Sequence, residues 1–206
     1  MSNWQYAAKT PADTFRGQMT LPRELSLTQK TGEIHLAQKI IRELDSYTGK
    51  LFFDKENIPV KSSPFVIPEI IKSMACVLEL HIKNNRSLLD IIFKNNKEER
   101  IEIKCDMLNK TFSIDRSHSG STGFSRHFPG VHTAPFIEDV PGTVGFKIYF
   151  DSTSVELITY DGLLSVTELI FPSEPFSQFI LTAPGNDVLI EKIILRGISN
   201  EPAPVK

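Results

Sequence analysis

From residue 33 onward, apolar side chains recur at every second position in short runs, and that spacing commits the chain to paired strands. Cys76, Leu78, Leu80 and Ile82 alternate with Val77, Glu79, His81 and Lys83. Ile101, Ile103, Cys105 and Met107 alternate with Glu102, Lys104 and Asp106, and Phe146, Ile148 and Phe150 with Lys147 and Tyr149. A strand turns successive side chains to opposite faces, so one set meets a core and the other meets water. Further strands are expected over residues 51–60, 88–93, 111–115, 155–160, 166–171, 179–183 and 189–195. Between them, Asn84-Asn85, Asn95-Asn96 and Leu108-Asn109-Lys110 offer the positive-φ positions of tight turns, and Asp161-Gly162 is the strongest turn signal. About ten such strands, most with one polar face, predict an all-β fold of two antiparallel sheets packed face to face, a jelly-roll or concanavalin-like sandwich. Helix signal is poor. One amphipathic candidate runs from Gln38 to Tyr47, with Ile40, Ile41 and Leu44 on one side, and a second from Pro68 to Met74.

The chain has 206 residues, enough for one domain, or one and a small piece. Hydrophobic residues make up 40% and charged residues 23%, the balance of a chain that buries a core. The longest apolar run, Met74 to Leu78, falls far short of the ~20 residues that span a bilayer. A net charge of -2 gives no electrostatic footprint for general nucleic-acid binding. The start, Met1 to Tyr6, has neither a basic nor an apolar segment, so no secretory signal is expected in it. Two cysteines cannot staple a scaffold, and Cys76 and Cys105 fall on apolar strand faces, as buried free thiols do. Asn85-Arg86-Ser87 and Asn109-Lys110-Thr111 match the glycosylation pattern but sit in turns, where Asn is common.

Three stretches leave the strand pattern. Residues 1–32 scatter Trp4, Tyr6, Phe15, Met19, Leu21 and Leu25 among polar residues and prolines; too short for a core of their own, they must pack on something else. Ser117 to Pro129 is a Ser/Gly-rich loop with His118, Arg126 and His127, expected to be flexible and polar. Residues 201–206 read as an extended tail. Catalytic chemistry finds little here. His118, His127 and His132 share a region without the tight spacing or Cys partners of a zinc site, so no metal or cofactor is assigned. Gly120-Ser121-Thr122-Gly123 lacks the spacing of a nucleophile elbow. Asp151 and Glu156 flank the turn Ser152-Thr153-Ser154, where an Asp caps backbone, and Glu156 then points from the solvent face of its strand. Most of the 14 Phe residues sit on inward positions; Trp4 and Tyr6 lie outside the pattern.

Several of these residues carry a resemblance. Ser2-Asn3-Trp4-Gln5-Tyr6-Ala7, Pro11, and the run from Phe15-Arg16-Gly17 through Leu21-Pro22-Arg23-Glu24-Leu25 resemble glycoside hydrolase family 32, the invertases, levanases and inulinases, at the end of its catalytic five-bladed propeller. The rest resembles that family's C-terminal β-sandwich. Gly32 to Gln38 is similar to its first strand, with Lys39 where a Pro is usual. Ile114-Asp115-Arg116-Ser117 resembles its Val-Asp-Arg-Ser motif, and Asp151 to Leu157 with Asp161-Gly162 its Asp-x-Ser-Ser-Val-Glu signature, with Thr153 at the first Ser. The family's nucleophile motif Trp-Met-Asn-Asp-Pro-Asn-Gly, its Arg-Asp-Pro and its acid/base Glu before Cys do not occur here.

The resemblance implies residues 1–32 as the remnant of the last propeller blade plus linker, 33–200 as the sandwich and 201–206 as a tail. It implies a piece of a larger retaining β-fructofuranosidase, of levanase or exo-inulinase type, that is periplasmic, cell-surface or secreted. Arg16, Arg23, Glu24, Asp115, Arg116, Asp151, Glu156 and Asp161 are then motif residues with structural roles. The first expectation is a non-catalytic module that stabilises the propeller or mediates assembly, with the missing propeller as its partner and a second copy contacting it through residues 1–32. The alternative is a fructan-binding module using Trp4, Gln5, Tyr6, His118, Arg126 and His127. Independent catalysis by Asp115, Asp151 or Glu156 is the remaining reading, and glycosidase chemistry would need two of them across a cleft.

Overall fold

The computed structural model describes residues 3–11, 16–67, 75–83, 86–137, 142–199 and 201. Among them run fourteen strands: β1 (Arg23–Lys30), β2 (Glu33–Ile40), β3 (Thr48–Val60), β4 (Phe65–Ile67), β5 (Cys76–Lys83), β6 (Leu88–Lys94), β7 (Arg100–Asp106), β8 (Thr111–Asp115), β9 (Val131–Pro135), β10 (Thr143–Phe150), β11 (Ser154–Thr159), β12 (Ser165–Leu169), β13 (Gln178–Thr182) and β14 (Val188–Ile198). Two six-stranded antiparallel sheets face each other, β12-β11-β10-β5-β14-β3 and β4-β13-β6-β7-β8-β9, and β1-β2 form a separate hairpin. The two-sheet sandwich expected from the alternation is the fold.

The alternating sets meet in one core. Leu78, Leu80 and Ile82 of β5 and Phe146 and Ile148 of β10 face Leu89, Ile91 and Phe93 of β6 and Ile101 and Ile103 of β7. Phe93 lies 4.0 Å from Phe150 and 4.2 Å from Phe179 between ring centroids, and Phe112 meets Phe146 edge to face at 4.8 Å. On β14 the inward set changes parity, Ile190 then Ile193, because the register on β5 shifts between Ile190 and Lys192. An extra residue there keeps both side chains inward. Cys76 and Cys105 are buried free thiols. Burial pushes the Cys76 thiol up to about 12, and burial with Asp106 nearby raises Cys105 as well.

The period of two fails in instructive places. Every residue of β11 is buried, and so are Val77 and Tyr149, because the outer face of that sheet is itself covered near β11 and β10. Glu156 is therefore not on a solvent face: it is only 2% exposed. The helix expected over Gln38 to Tyr47 is strand as far as Ile40, followed by a 3-10 turn over Arg42–Tyr47. Residues 33–40 pair along their whole length with β1, and that pairing overrides a weak local helical pattern. The candidate helix from Pro68 to Met74, the turn Asn84-Asn85, Phe15 and residues 202–206 lie outside the described residues. Glu98 and Lys110, rather than the neighbouring asparagines, take the positive φ in their turns. Asn95 instead organises its turn from inside: its Oδ1 accepts from Lys97 N and Glu99 N.

Candidate functional site

The covering layer is the N-terminal arm, and its attachment gathers the motif residues into one joint. Glu156 of β11 accepts from Leu21 N at 2.7 Å and from Arg23 Nη2 at 2.5 Å. Arg23 also donates to Thr167 Oγ1 at 3.1 Å and to Gln38 Oε1 at 3.0 Å, tying both hairpin strands to β11 and β12. Gln18 Nε2 bonds the Thr153 hydroxyl. At the far end Lys30 Nζ lies 2.8 Å from Asp161 Oδ2. Burial would raise the Asp161 carboxyl, but bonds from Lys30, Thr159 and Leu163 outweigh it and hold the group below its ordinary value. Gly162 completes the joint: its carbonyl accepts from Gln38 N at 2.8 Å, and it turns at φ +75°.

A second fastening sits at the start of the arm. Tyr6, 5% exposed, packs edge to face on Phe128 at 5.3 Å and reaches Phe124 at 6.4 Å. Its hydroxyl accepts from Arg116 Nη2 at 3.1 Å. Arg116 is buried, donates to Phe128 O, stacks 4.2 Å over the Phe128 ring and pairs with Glu168 Oε2 at 2.8 Å. Glu168 also meets His132 Nδ1 at 2.6 Å, so β9 and β12, the edges of the two sheets, are bridged. Burial raises the Glu168 carboxyl, and Arg116 and His132 pull it partly back. A guanidinium this deeply buried is tolerable only because every face of it is used.

The residues named for sugar binding do not form one surface. Trp4 is 86% exposed and Gln5 is exposed, whereas Tyr6 is core. His118 and His127 are exposed, and Arg126 Nε points at His127 Nε2 at 3.3 Å. The loop from Ser117 is less open than expected: Ser119, Ser125 and Phe128 are buried. Arm and loop do come together, but through Tyr6 rather than Trp4. Asp151 Oδ1 caps Thr153 N and Ser154 N, as the turn reading required, and Asp115 Oδ1 caps Ser117 N. With Glu156 held by Arg23, each carboxylate once weighed for catalysis has a structural occupation. Arg16 donates to Thr10 O, and Glu24 is exposed opposite Lys39. Among the described residues no three His, Cys, Asp or Glu side chains gather as a metal site, and no helix is long and apolar enough to cross a membrane.

Reading the sequence missed the surface that this joint presents. β1 and β2 turn back through Thr31 and Gly32, both at positive φ, with Leu27 opposite Leu36. Ala37 faces the sandwich and is buried, while Leu25, Leu27, Ile34 and Leu36 share the opposite face, Leu27 at 75% and Ile34 at 74% exposure. The signal was present: two alternating apolar pairs around a two-residue turn ending in Gly. Residue 32, after which a boundary was expected, is the glycine of that turn, inside a hairpin that continues to Ile40.

Comparison with known proteins agrees with this architecture. Residues 43–195 match the family described as Glycosyl hydrolases family 32 C terminal. The chain is 28% identical over 199 residues to a levanase of Bacillus subtilis (strain 168), covering 95% of this chain and 29% of that protein. It is 26% identical over 188 residues to an extracellular exo-inulinase of Aspergillus awamori, covering 90% of this chain and 35% of that one. The chain thus spans about a third or less of the curated relatives it matches. A crystal structure of exo-inulinase from Aspergillus awamori shares the fold with a TM-score of 0.88 at 23% identity, over 97% of this chain and 39% of that one.

Proposed function

The chain belongs to the glycosyl hydrolase family 32 C-terminal family, and from that premise we propose that it is the non-catalytic sandwich module of an exported fructan-hydrolysing β-fructofuranosidase, docked on the catalytic propeller through its hairpin. One observation carries this reading: a two-stranded ribbon fastened to the sandwich through Arg23 and Lys30 leaves Leu25, Leu27, Ile34 and Leu36 exposed. Fully burying a Leu or Ile side chain is worth about 1.5–3 kcal/mol, so four on one face form a strong docking edge. Residues 1–40 then serve as the last part of the propeller, and Arg23, Glu156, Lys30 and Asp161 transmit its position to the sandwich. Without a propeller present, a second copy of the chain is the occupant that face would take.

The test combines this chain with a separately expressed family 32 catalytic propeller. The native chain should bind it, and Leu27→Lys with Ile34→Lys should abolish binding while stability stays within about 0.5 kcal/mol, as expected of exposed positions. Unchanged binding by the double variant, or fructose released from levan, inulin or sucrose by this chain alone, would overturn the proposal.

A further inference from the structure

The core rows of the two sheets run out to their edge strands, and at one edge they end on charge. On β12, Glu168 stands opposite the core residue Val155 of β11, and on β9, His132 stands opposite the core residue Ile114 of β8. Cross-strand partners share a face, so both side chains point into the gap between the sheets. Arg116, two residues beyond Ile114 and buried, enters the same gap. There Glu168 Oε1 lies 2.6 Å from His132 Nδ1, and Glu168 Oε2 lies 2.8 Å from Arg116 Nη1. An apolar pair would close such an edge without desolvating a charge. This one closes it only while its charges match.

Of the three groups, His132 is the one that answers to solvent. Its side chain is half exposed, whereas those of Arg116 and Glu168 are buried. Histidine is the side chain whose ordinary titration falls between about pH 5 and 8. Two groups this close titrate as a unit. A proton between them makes the contact a charge-assisted hydrogen bond, roughly twice as strong as a neutral one. The charges that face Glu168 are Arg116 and His132; both lower its carboxyl, and burial outweighs them and raises it. An acid raised in the folded chain takes up its proton at higher pH than in the unfolded chain, so the folded form gains as pH falls and loses as pH rises. We propose that His132 and Glu168 form a pH-sensitive clasp: with a proton between them they hold β9 against β12 and steady Arg116 on Tyr6, and without it this end of the sandwich opens more readily. Arg116 carries the effect to the arm, because its other bonds go to the Tyr6 hydroxyl at 3.1 Å and to Phe128 O at 2.8 Å.

Amide hydrogen exchange of the whole chain, corrected for intrinsic rates, tests this between about pH 5.5 and about pH 7.5. The reporters are the β9 amides and the Arg116 amide, which donates to Gly130 O at 3.1 Å. The interior strand β5 reports global opening. Relative to β5, protection at the reporters should fall about three- to tenfold as pH rises across that range. His132→Gln keeps a hydrogen-bond donor but cannot titrate, and should make the reporters equally protected at both ends of the range. His132→Leu should give the same flat profile and serves if the first variant folds poorly. Reporter protection that is flat in the native chain, or that falls as steeply in both variants, would overturn the inference.

Discussion

At the scale of single residues, Glu156 and Arg116 show how burial changes the meaning of a charge. Alternation along β11 assigns Glu156 to water, because a period of two reports the faces of a strand and not what lies against them. The arm, more than a hundred residues away in sequence, is what dries that face. Removing one member of such a pair strands the other without water, at about 3–5 kcal/mol, whereas replacing both by apolar groups is close to neutral. Glu156→Ala should therefore lower the urea midpoint sharply and make residues 16–40 sensitive to protease. Arg23→Met with Glu156→Leu should recover most of the loss. Equal stability of Glu156→Ala and the native chain would mean that the pair contributes nothing.

Among the elements, legibility followed solvent. β5, β7 and β10 were readable because most of their outward residues are polar, and β8 was placed to the residue. β11 was found but its faces were misassigned, since all of it is buried. β1, β4 and β9 went unread: β4 is three residues long, and β9 is an edge strand with an exposed surface and no apolar rhythm. Of the joint, Arg23 is marked by resemblance alone, and Glu156 and Asp161 by their turns as well, while Lys30, Glu168 and Thr167 carry no sequence signal of their own, because their partners are set by tertiary pairing. Gly162 is the point where one element rests on another. A Cβ there would lie 2.8 Å from Gln38 O, on a backbone already at φ +75°. Gly162→Ala should cost more than about 1 kcal/mol and speed hydrogen exchange at the Gln38 amide. Unaltered exchange would show that the hairpin is held without this contact.

For the molecule as a whole, the arm's attachment gives stability a definite acid limit. Asp161 is held below its ordinary value of 3.8, so its contribution is complete above that pH and fades as pH falls through the lower, folded value. Asp161→Asn should flatten that acid limb of the stability curve and leave its neutral region lower but parallel; a limb unchanged in slope would place the acid sensitivity elsewhere. The same attachment also has a schedule. Arg23 and Glu156 are 133 residues apart in the chain, and at roughly 5–20 residues per second a ribosome needs about 7–27 s to go from one to the other. Through that interval the hairpin exists without the sheet that will anchor its inner side. A partner for its exposed leucines would therefore meet them before the sandwich closes on the ribbon's inner side.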